Sequence, residues 1–239
     1  MALITIPTHP DADSYGTLEE ADAHFENRGD VSDWDDATDD LKEAVLKYAT
    51  DQIESMRFRY GKVVACPMYY RREQELKFPQ NVDPSRTVTP SEVGSNYFKS
   101  TSLADLSTMP DDYWNNGCAI VTDGVGKGET YLITDFDYLT GKVTIDGSWT
   151  TTPNTSSSIM IVYRVLDNVK KAQFEQALYL IQGGGERQKL QAEGVVEFKL
   201  DELWEKYRDG NFNAGRMPIC STAKGYLRGL YVNIGKLLR

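Results

Sequence analysis

The sequence predicts an α+β fold in which a small α-helical bundle is interrupted by an inserted all-β domain. Helical periodicity covers about residues 14–65 and returns at about residue 165. Between these stretches, residues 81–164 are rich in Thr, Ser, Gly, Asn, Asp and Pro and contain short β-prone runs. We therefore expect a discontinuous helical domain of residues 1–80 and 165–239, which ends in a C-terminal docking arm, and an inserted β-rich domain of residues 81–164.

The first helical stretch contains two helix starts. Thr17 and Glu20 have the spacing of a capping box, which predicts a helix from about Leu18 to Asn27. Thr38 is the expected N-cap of a second helix that runs to about Arg59. Its apolar stripe is expected to consist of Leu41, Val45, Tyr48, Gln52, Ile53 and Met56.

The middle region carries four β-prone runs, "CAIVTDG", "ETYLITDFD", "GKVTIDGSW" and "SIMIVYRV". The glycine-rich stretch "TDGVGKGETYLI" joins the first two runs and resembles a phosphate-binding loop. Lys127 is followed by Gly128 and Glu129 rather than by Ser or Thr, and the residues after it are strand-like. We therefore expect a hairpin whose glycines supply positive φ angles.

Helical signal returns in "DNVKKAQFEQALYLI" and is expected to end at the triplet Gly183–Gly185. Its predicted apolar face consists of Val169, Ala172, Phe174, Ala177, Leu178 and Ile181. The following "GVVEFKLDELW" alternates like a strand, and an amphipathic stretch closes the sequence.

Composition indicates a globular protein with a real core, since 40% of the 239 residues are hydrophobic and 26% are charged. No apolar run approaches the length needed to span a bilayer, and the N-terminus lacks the features of a secretory signal, so we expect a cytosolic product with no membrane contact. Cys66, Cys118 and Cys220 form no Cys-x-x-Cys pair and suggest neither a disulfide framework nor a zinc site.

Charge is distributed unevenly along the sequence. Residues 11–54 contain 15 acidic residues and three basic ones, whereas residues 216–239 contain five basic residues and no acidic one. This asymmetry favours contact with an oppositely charged surface, on a copy of the chain or on a partner. Two solvated faces without a partner explain it about as well.

Motifs for catalysis or cofactor binding are not found. The Asp30–Asp40 cluster lacks the alternating spacing and glycine of a calcium loop, and His9 and His24 have no partner at a recognisable spacing. No Gly-x-Ser-x-Gly elbow occurs. We therefore expect no enzyme, no catalytic residue, no cofactor and no metal, and interpret His24 as structural.

The ordered set of helical motifs resembles a known phage family. The motifs are "SYGTLEEADAHFENR", Trp34 and Ala37 before "LKEAVLKYATDQIE", then "LKFPQ", "VKKAQFEQALYLI", "AEGVVEFKL" and "AKGYLRGLY". They resemble the phage head–tail adaptor (head completion or connector) family, often labelled DnaT-like single-stranded-DNA-binding proteins. The resemblance covers about residues 14–80 and 165–239. Residues 81–164 depart from it, and their "GVGKGETYLITDFDYLTGKVTIDGSWTTTPNTSS" resembles a β module of phage structural proteins.

The resemblance implies a structural virion protein. A homo-oligomeric ring, expected to be a dodecamer, would lie below the portal in the neck, extend the DNA channel and connect the capsid to the tail after assembly in the host cytoplasm. The implied partners are the portal protein, tail or neck completion proteins, and double-stranded DNA in transit. A strongly acidic chain suits a conduit because it repels phosphate.

The C-terminal stretch is the predicted partner-binding segment, for the portal or a neighbouring subunit. Its candidate residues are Lys224, Tyr226, Leu227, Arg228, Leu230, Tyr231, Ile234, Lys236, Leu237, Leu238 and Arg239. Leu227, Leu230, Tyr231, Ile234 and Leu238 would share one helical face, although glycines at 225, 229 and 235 weaken the helix. Either the segment orders on assembly or it is an ordinary terminal helix packed on its own domain, and the sequence favours neither.

Single-stranded-DNA binding is the alternative function. It requires a basic groove with aromatic stacking platforms. Tyr69, Tyr70, Arg71 and Arg72 are the one place where aromatic and basic residues adjoin closely, and the surrounding charge is adverse.

Overall fold

The computed structural model describes residues 3–6, 9, 11–60, 76–80, 85–104, 110–184, 197–200, 203–206 and 219–231. Helices and a seven-stranded antiparallel sheet are both present, which confirms the α+β class. The chain divides into two compact units. The helical unit consists of Met1–Leu3, Gly16–Arg59 and Asn168–Arg239, and the β unit of Ile4–Tyr15 and Tyr60–Asp167. The predicted arrangement of a helical bundle around an inserted domain stays a prediction.

Three helices form the first part of the helical unit: α1 (Leu18–Phe25), α2 (Ser32–Asp35) and α3 (Asp39–Glu54). The predicted capping box is present, since Thr17 Oγ1 accepts from Glu20 N and Glu20 Oε2 accepts from Thr17 N. Thr38 caps α3 as predicted. Both helices are shorter than predicted, and α3 ends at Glu54 because the chain then turns and Phe58 pairs with Tyr231 in an isolated bridge.

The predicted apolar stripe of α3 is wrong in part. Leu41 and Tyr48 are 47% and 39% exposed. The buried face instead consists of Lys42, Leu46, Ala49, Thr50, Gln52 and Ile53. Apolar side chains lie on two sides of this helix, so periodicity alone does not identify the side that packs, and polar residues are buried because they find partners.

Helix α4 (Asp167–Tyr179) is the most completely buried helix among the described residues. A single π-type turn, Leu180–Gly184, follows it, and Gly183 at φ 76° ends the helix as predicted. Its buried residues are Val169, Ala172, Gln173, Phe174, Glu175, Gln176, Ala177 and Leu178. Phe174, Ala177 and Leu178 join one core with Ala21, Phe25, Val31, Trp34, Leu46 and Ala49.

Two buried glutamines of α4 hold other segments by hydrogen bonds. Gln173 Oε1 accepts from Gly16 N at 2.9 Å, while its Nε2 donates to Leu46 O at 3.1 Å and to Thr50 Oγ1 at 2.8 Å. Gln176 Nε2 donates to the Gln52 side-chain oxygen. The Gln176 oxygen accepts from the backbone N–H of residue 220 at 2.7 Å. These contacts satisfy polar groups that would otherwise be buried without partners.

The remaining described elements of the helical unit are one two-stranded hairpin and one short helix. Strands β8 (Glu197–Leu200) and β9 (Leu203–Lys206) form an antiparallel hairpin in the region predicted to alternate like a strand. Helix α5 (Ser221–Tyr226) follows.

The sheet of the β unit contains seven strands in the order β1-β7-β4-β5-β6-β3-β2, all antiparallel. The four predicted runs are β4 (Cys118–Asp123), β5 (Thr130–Asp137), β6 (Lys142–Ile145) and β7 (Ser158–Val162). Strands β1 (Ser85–Val88), β2 (Glu92–Val93) and β3 (Tyr97–Lys99) were not predicted, because they are too short to show an alternating pattern. The inward side chains form a separate core that includes Phe98, Trp114, Ile133, Phe136 and Ile159.

The glycine-rich stretch is a hairpin between β4 and β5, as predicted. Gly124, Gly126 and Gly128 have φ of 87°, 78° and 91°. At Gly126 an added Cβ would lie 2.6 Å from Thr151 O, so this position is restricted by both conformation and space. Strand β5 follows the loop where a phosphate-binding loop would require a helix.

The buried contacts of Gln173 predict a large stability loss on truncation. Gln173→Ala should lower the free energy of unfolding by about 2–4 kcal/mol, because a buried donor and acceptors lose their partners. Chemical denaturation followed by circular dichroism measures the change. Lys171→Ala on the exposed side of α4 is the control and should change stability little. A Gln173→Ala variant as stable as this control would contradict the role assigned to the glutamine.

Two glycines of the β unit, Gly147 after β6 and Gly126 between β4 and β5, predict unequal costs of alanine substitution. Gly147→Ala should cost about 1 kcal/mol, because its φ of 76° is strained for alanine although nothing lies within 4 Å of the added Cβ. Gly126→Ala should cost a further 1–3 kcal/mol or so, because its Cβ meets a backbone oxygen. Tryptophan fluorescence during denaturation reports both values. Equal costs would mean that the loop moves to accept the methyl group.

Candidate interaction surface

The outer surface of the α1–α3 region is acidic. Its exposed acidic residues are Glu19, Glu20, Asp22, Glu26, Asp30, Asp33, Asp35, Asp36, Asp39, Asp40 and Asp51. Their exposure follows from helix chemistry in part, since carboxylates in the first turns of α1 and α3 interact favourably with the helix dipoles.

Lys42, one of the three basic residues of this region, is turned inward. It is 8% exposed, and its Nζ lies 3.2 Å from Asp22 Oδ1 and 5.3 Å from the centre of the Trp34 ring. The Trp34 Nε1–H donates to the same Asp22 oxygen at 2.8 Å. The charge of Lys42 is therefore used within the fold.

Arg28 is also engaged internally. Its Nε and Nη2 donate to the two carboxylate oxygens of Asp30 at 3.1 and 3.0 Å, and its Nη1 donates to Glu175 of α4. The paired hydrogen bonds from Arg28 lower the pKa of Asp30, and the bond to Asp30 raises the pKa of Arg28. Lys170 of α4 also pairs with this surface, since its Nζ lies 2.6 Å from Glu20 Oε1. Arg28, Lys42 and Lys170 thus compensate a few of the carboxylates, and most of the acidic surface keeps its charge.

His24 is part of the packing, as predicted. Its Nε2 is 2.9 Å from Glu175 Oε1, and its ring packs against Phe25, Phe174 and Tyr226 at centroid distances of 5.0, 5.6 and 6.4 Å. These contacts tie α1 to α4 and α5.

Cys220 lies near the same side of α4. Its Sγ contacts Glu175 O at 3.7 Å, and burial raises the pKa of the thiol. A thiol with a raised pKa is a poor nucleophile. The contact of Cys220 with Glu175 joins the residue before α5 to α4.

A groove of about 550 Å³ lies beside α1 and α2. Phe25 and Val31, both buried, contribute apolar lining, as does Ala23. Glu26 and Asp35 contribute exposed carboxylates, and no ion pair joins either one to another described residue.

The remaining lining residues of the groove are Asp22, Arg28 and Lys42. The two cations are those already paired with Asp22, Asp30 and Glu175. The lining of the groove is therefore mostly charged, because Phe25 and Val31 are only 2% and 3% exposed.

The structure describes only the first part of the predicted docking segment. Ile234, Lys236, Leu237, Leu238 and Arg239 lie outside the described residues. The predicted single helical face is wrong for the described part, because α5 ends at Tyr226 and Gly229 has φ 93°.

The described docking residues divide into inward and outward positions. Leu227 is fully buried and so belongs to the core of its own unit, and Arg59 N donates to Leu230 O at 3.0 Å. Tyr226, Leu230 and Tyr231 are half-buried. Lys224 and Arg228 are exposed. Up to Tyr231 this stretch packs on its own unit, as the second of the two sequence interpretations expects.

The β unit places one aromatic ring beside two lysines. Lys142 Nζ and Lys99 Nζ lie 4.8 and 5.8 Å from the centre of the Tyr97 ring. Glu92 accepts hydrogen bonds from Tyr97 Oη at 2.6 Å and Lys99 Nζ at 2.8 Å, and these bonds lower the pKa of Glu92. Asp137, which is opposite Lys142 in the sheet, adds another carboxylate. The cluster is therefore not a basic patch. The sequence-predicted Tyr69–Arg72 cluster lies outside the described residues.

Among the described residues, no group of three His, Cys, Asp or Glu side chains is arranged to hold a metal ion. Within the same part of the chain, no helix is both long enough and apolar enough to cross a membrane.

Comparison with protein families places this chain in a family. Residues 1–127, more than half of the chain, match the family described as "Putative DnaT-like ssDNA binding protein". The chain belongs to this family. The family description contains no reference to head–tail adaptors, and the matched range ends within the predicted β insert. None of the curated proteins matches the chain.

Some of the residues that hold the acidic surface and α4 in place were not identified from the sequence. The interpretation of α4 followed its apolar residues and passed over Gln173, Glu175 and Gln176. Three polar residues with long side chains, interspersed with the apolar residues of the second half of this helix, are a signal of buried hydrogen bonding. Lys42 gave no comparable signal, because its burial depends on Asp22 and Trp34, which arrive from other elements.

The Arg28–Asp30 pair predicts an altered titration. In Arg28→Gln the pKa of Asp30 should rise toward its ordinary value of 3.8. Because the pKa is lowered in the folded chain, the stabilisation from this pair is present above that value and is lost as the pH falls below it. Carboxyl-carbon NMR shifts measured against pH follow Asp30 directly. Arg57→Gln on the exposed surface is the control, and an unchanged Asp30 in Arg28→Gln would refute the assignment.

Proposed function

We propose that this chain is a structural virion protein, a head–tail adaptor subunit that assembles into a ring below the portal. In this proposal, the two helical stretches form one wedge interrupted by the β domain. The ring extends the DNA channel and connects the capsid to the tail. The ordered motifs from "SYGTLEEADAHFENR" to "AKGYLRGLY" support the proposal through their resemblance to adaptors.

The acidic surface of the helical unit is the observation that carries the proposal. Most of its carboxylates face solvent, while Lys42 and Arg28 are held in ion pairs within the helical unit. Such a surface repels nucleic-acid phosphates and attracts basic protein surfaces, which suits a channel that DNA passes through without being retained.

The basic C-terminal stretch supplies the complementary charge. Lys224 and Arg228 are exposed, and residues 216–239 contain no acidic residue. One chain therefore carries both partners of an electrostatic contact, which favours assembly between copies and with the portal.

Single-stranded-DNA binding is the second candidate, and the family match favours it directly. A binding site of this type would combine positive charge with exposed aromatic rings. In the described part of the chain, the lysines beside Tyr97 share their surroundings with Glu92 and Asp137. The Tyr69–Arg72 cluster is another candidate for such a site.

Electron microscopy and a mobility-shift assay separate the two functions. The purified chain, alone and with its portal protein, should form closed rings on the portal axis and should not retard a single-stranded oligonucleotide at near-physiological salt. Tight, salt-sensitive retardation without rings would overturn the adaptor proposal. In that case, replacing Tyr69, Tyr70, Arg71 and Arg72 by alanine should abolish binding, whereas Lys171→Ala should not.

A further inference from the structure

We propose that Asn116 is a site of spontaneous chemical modification, at which deamidation converts the asparagine to aspartate or isoaspartate and disturbs the entry to β4. The site lies within the β unit, in the loop before Cys118. This inference goes beyond the proposed function and does not depend on it, because it rests on the chemistry and the backbone contacts of this loop.

The fold itself requires the reactive pair of residues. An added Cβ at Gly117 would clash with Val162 O and lie 2.9 Å from Trp114 O, so only glycine fits at this position. The preceding residue, Asn116, has φ of 62°, a conformation that asparagine adopts more readily than most other residues. Asn116–Gly117 is also the only Asn-Gly pair in the sequence.

Asn116 is accessible for this reaction. It is exposed, and its side-chain amide makes no hydrogen bond to another residue in the described part of the chain. Asparagine is among the thermolabile residues, and a following glycine has no side chain to hinder the approach of its own backbone nitrogen. The other asparagines of the described ranges are each followed by a residue with a side chain; they are Asn27, Asn96, Asn115, Asn154 and Asn168.

The modification proceeds in two steps that require no reactant other than water. The backbone nitrogen of Gly117 attacks Cγ of Asn116 and forms a bond to it. The Cγ–Nδ2 bond breaks, ammonia leaves with the proton of the attacking amide, and a cyclic succinimide remains. Water then cleaves the ring. Cleavage of the new bond to Cγ gives aspartate, whereas cleavage of the original peptide bond gives isoaspartate, whose main chain runs through Cβ and Cγ.

One hydrogen bond slows the first step in the folded chain. Gly117 N donates to Trp114 O at 3.0 Å, and Trp114 is fully buried in the core of the β unit. The attacking nitrogen reacts only after this bond has opened and the proton has left. The reaction is therefore slower in the folded chain than in the unfolded chain, and it accelerates as the pH rises.

The isoaspartate product disturbs the pairing of this loop with β5. Asn116 N donates to Ile133 O at 2.9 Å, and Ile133 N donates to Gly117 O at 2.8 Å. An isoaspartate linkage inserts one carbon atom into the main chain between these two bonds, so both cannot keep their geometry. Because Ile133 is fully buried, a backbone group that loses its partner here is costly. Aspartate at position 116 keeps the ordinary linkage and both bonds.

Ageing of the full chain tests the site. After days in mildly alkaline buffer, peptide mapping by mass spectrometry should find replacement of NH2 by OH at Asn116 at least about tenfold more often than at Asn115. Urea-unfolded chains should react faster still. The matched variant Asn116→Gly, which tolerates the positive φ, should show no change at this position. Folded chains that stay unmodified at Asn116, whether or not unfolded chains react, would overturn the proposal.

Hydrogen exchange tests the structural consequence. In aged chains that carry isoaspartate, the amide of Ile133 should exchange at least about tenfold faster than in fresh chains, because its hydrogen bond to Gly117 is weakened. Freshly prepared Asn116→Asp should retain most of this protection. Unchanged exchange in the isoaspartate fraction would refute the disturbance of β5. Equal loss of protection in Asn116→Asp would also refute it, since the new charge rather than the altered linkage would then be the cause.

Discussion

The burial of α4 is the constraint on which the helical unit depends. A helix covered on nearly all sides must satisfy every polar side chain that it carries into the core. Gln173 does so through the chain before α1 and through α3, while Gln176 bonds to α3 and to the residue before α5. Residues near positions 16, 46, 176 and 220 are thereby joined by directional contacts. Apolar burial favours compaction of these segments, and the hydrogen bonds fix the register in which they meet.

The same helix influences the charge of the surface. Glu175 is buried and accepts from both Arg28 and His24, so it draws a cation away from the exposed side of the unit. Asp22 does the same for Lys42, in a contact that also satisfies the Trp34 indole. Breaking either pair would leave a partly buried charge without its partner, which is costly. The acidic exterior is therefore coupled to the stability of the interior through Arg28 and Lys42.

Local chemistry made several elements predictable. Four local features could be predicted because they depend on residues that are neighbours in sequence. They are the Thr17 cap, the Thr38 cap, the end of α4 at Gly183 and the glycine hairpin of β4 and β5. The orientation of α3 was not predictable in this way, because Leu41 and Leu46 are equally apolar and only Trp34 and α4 decide which one is buried. The groove beside Phe25 was missed for the same reason. Its lining comes from three helices, and its charge depends on which carboxylates Arg28 and Lys42 select.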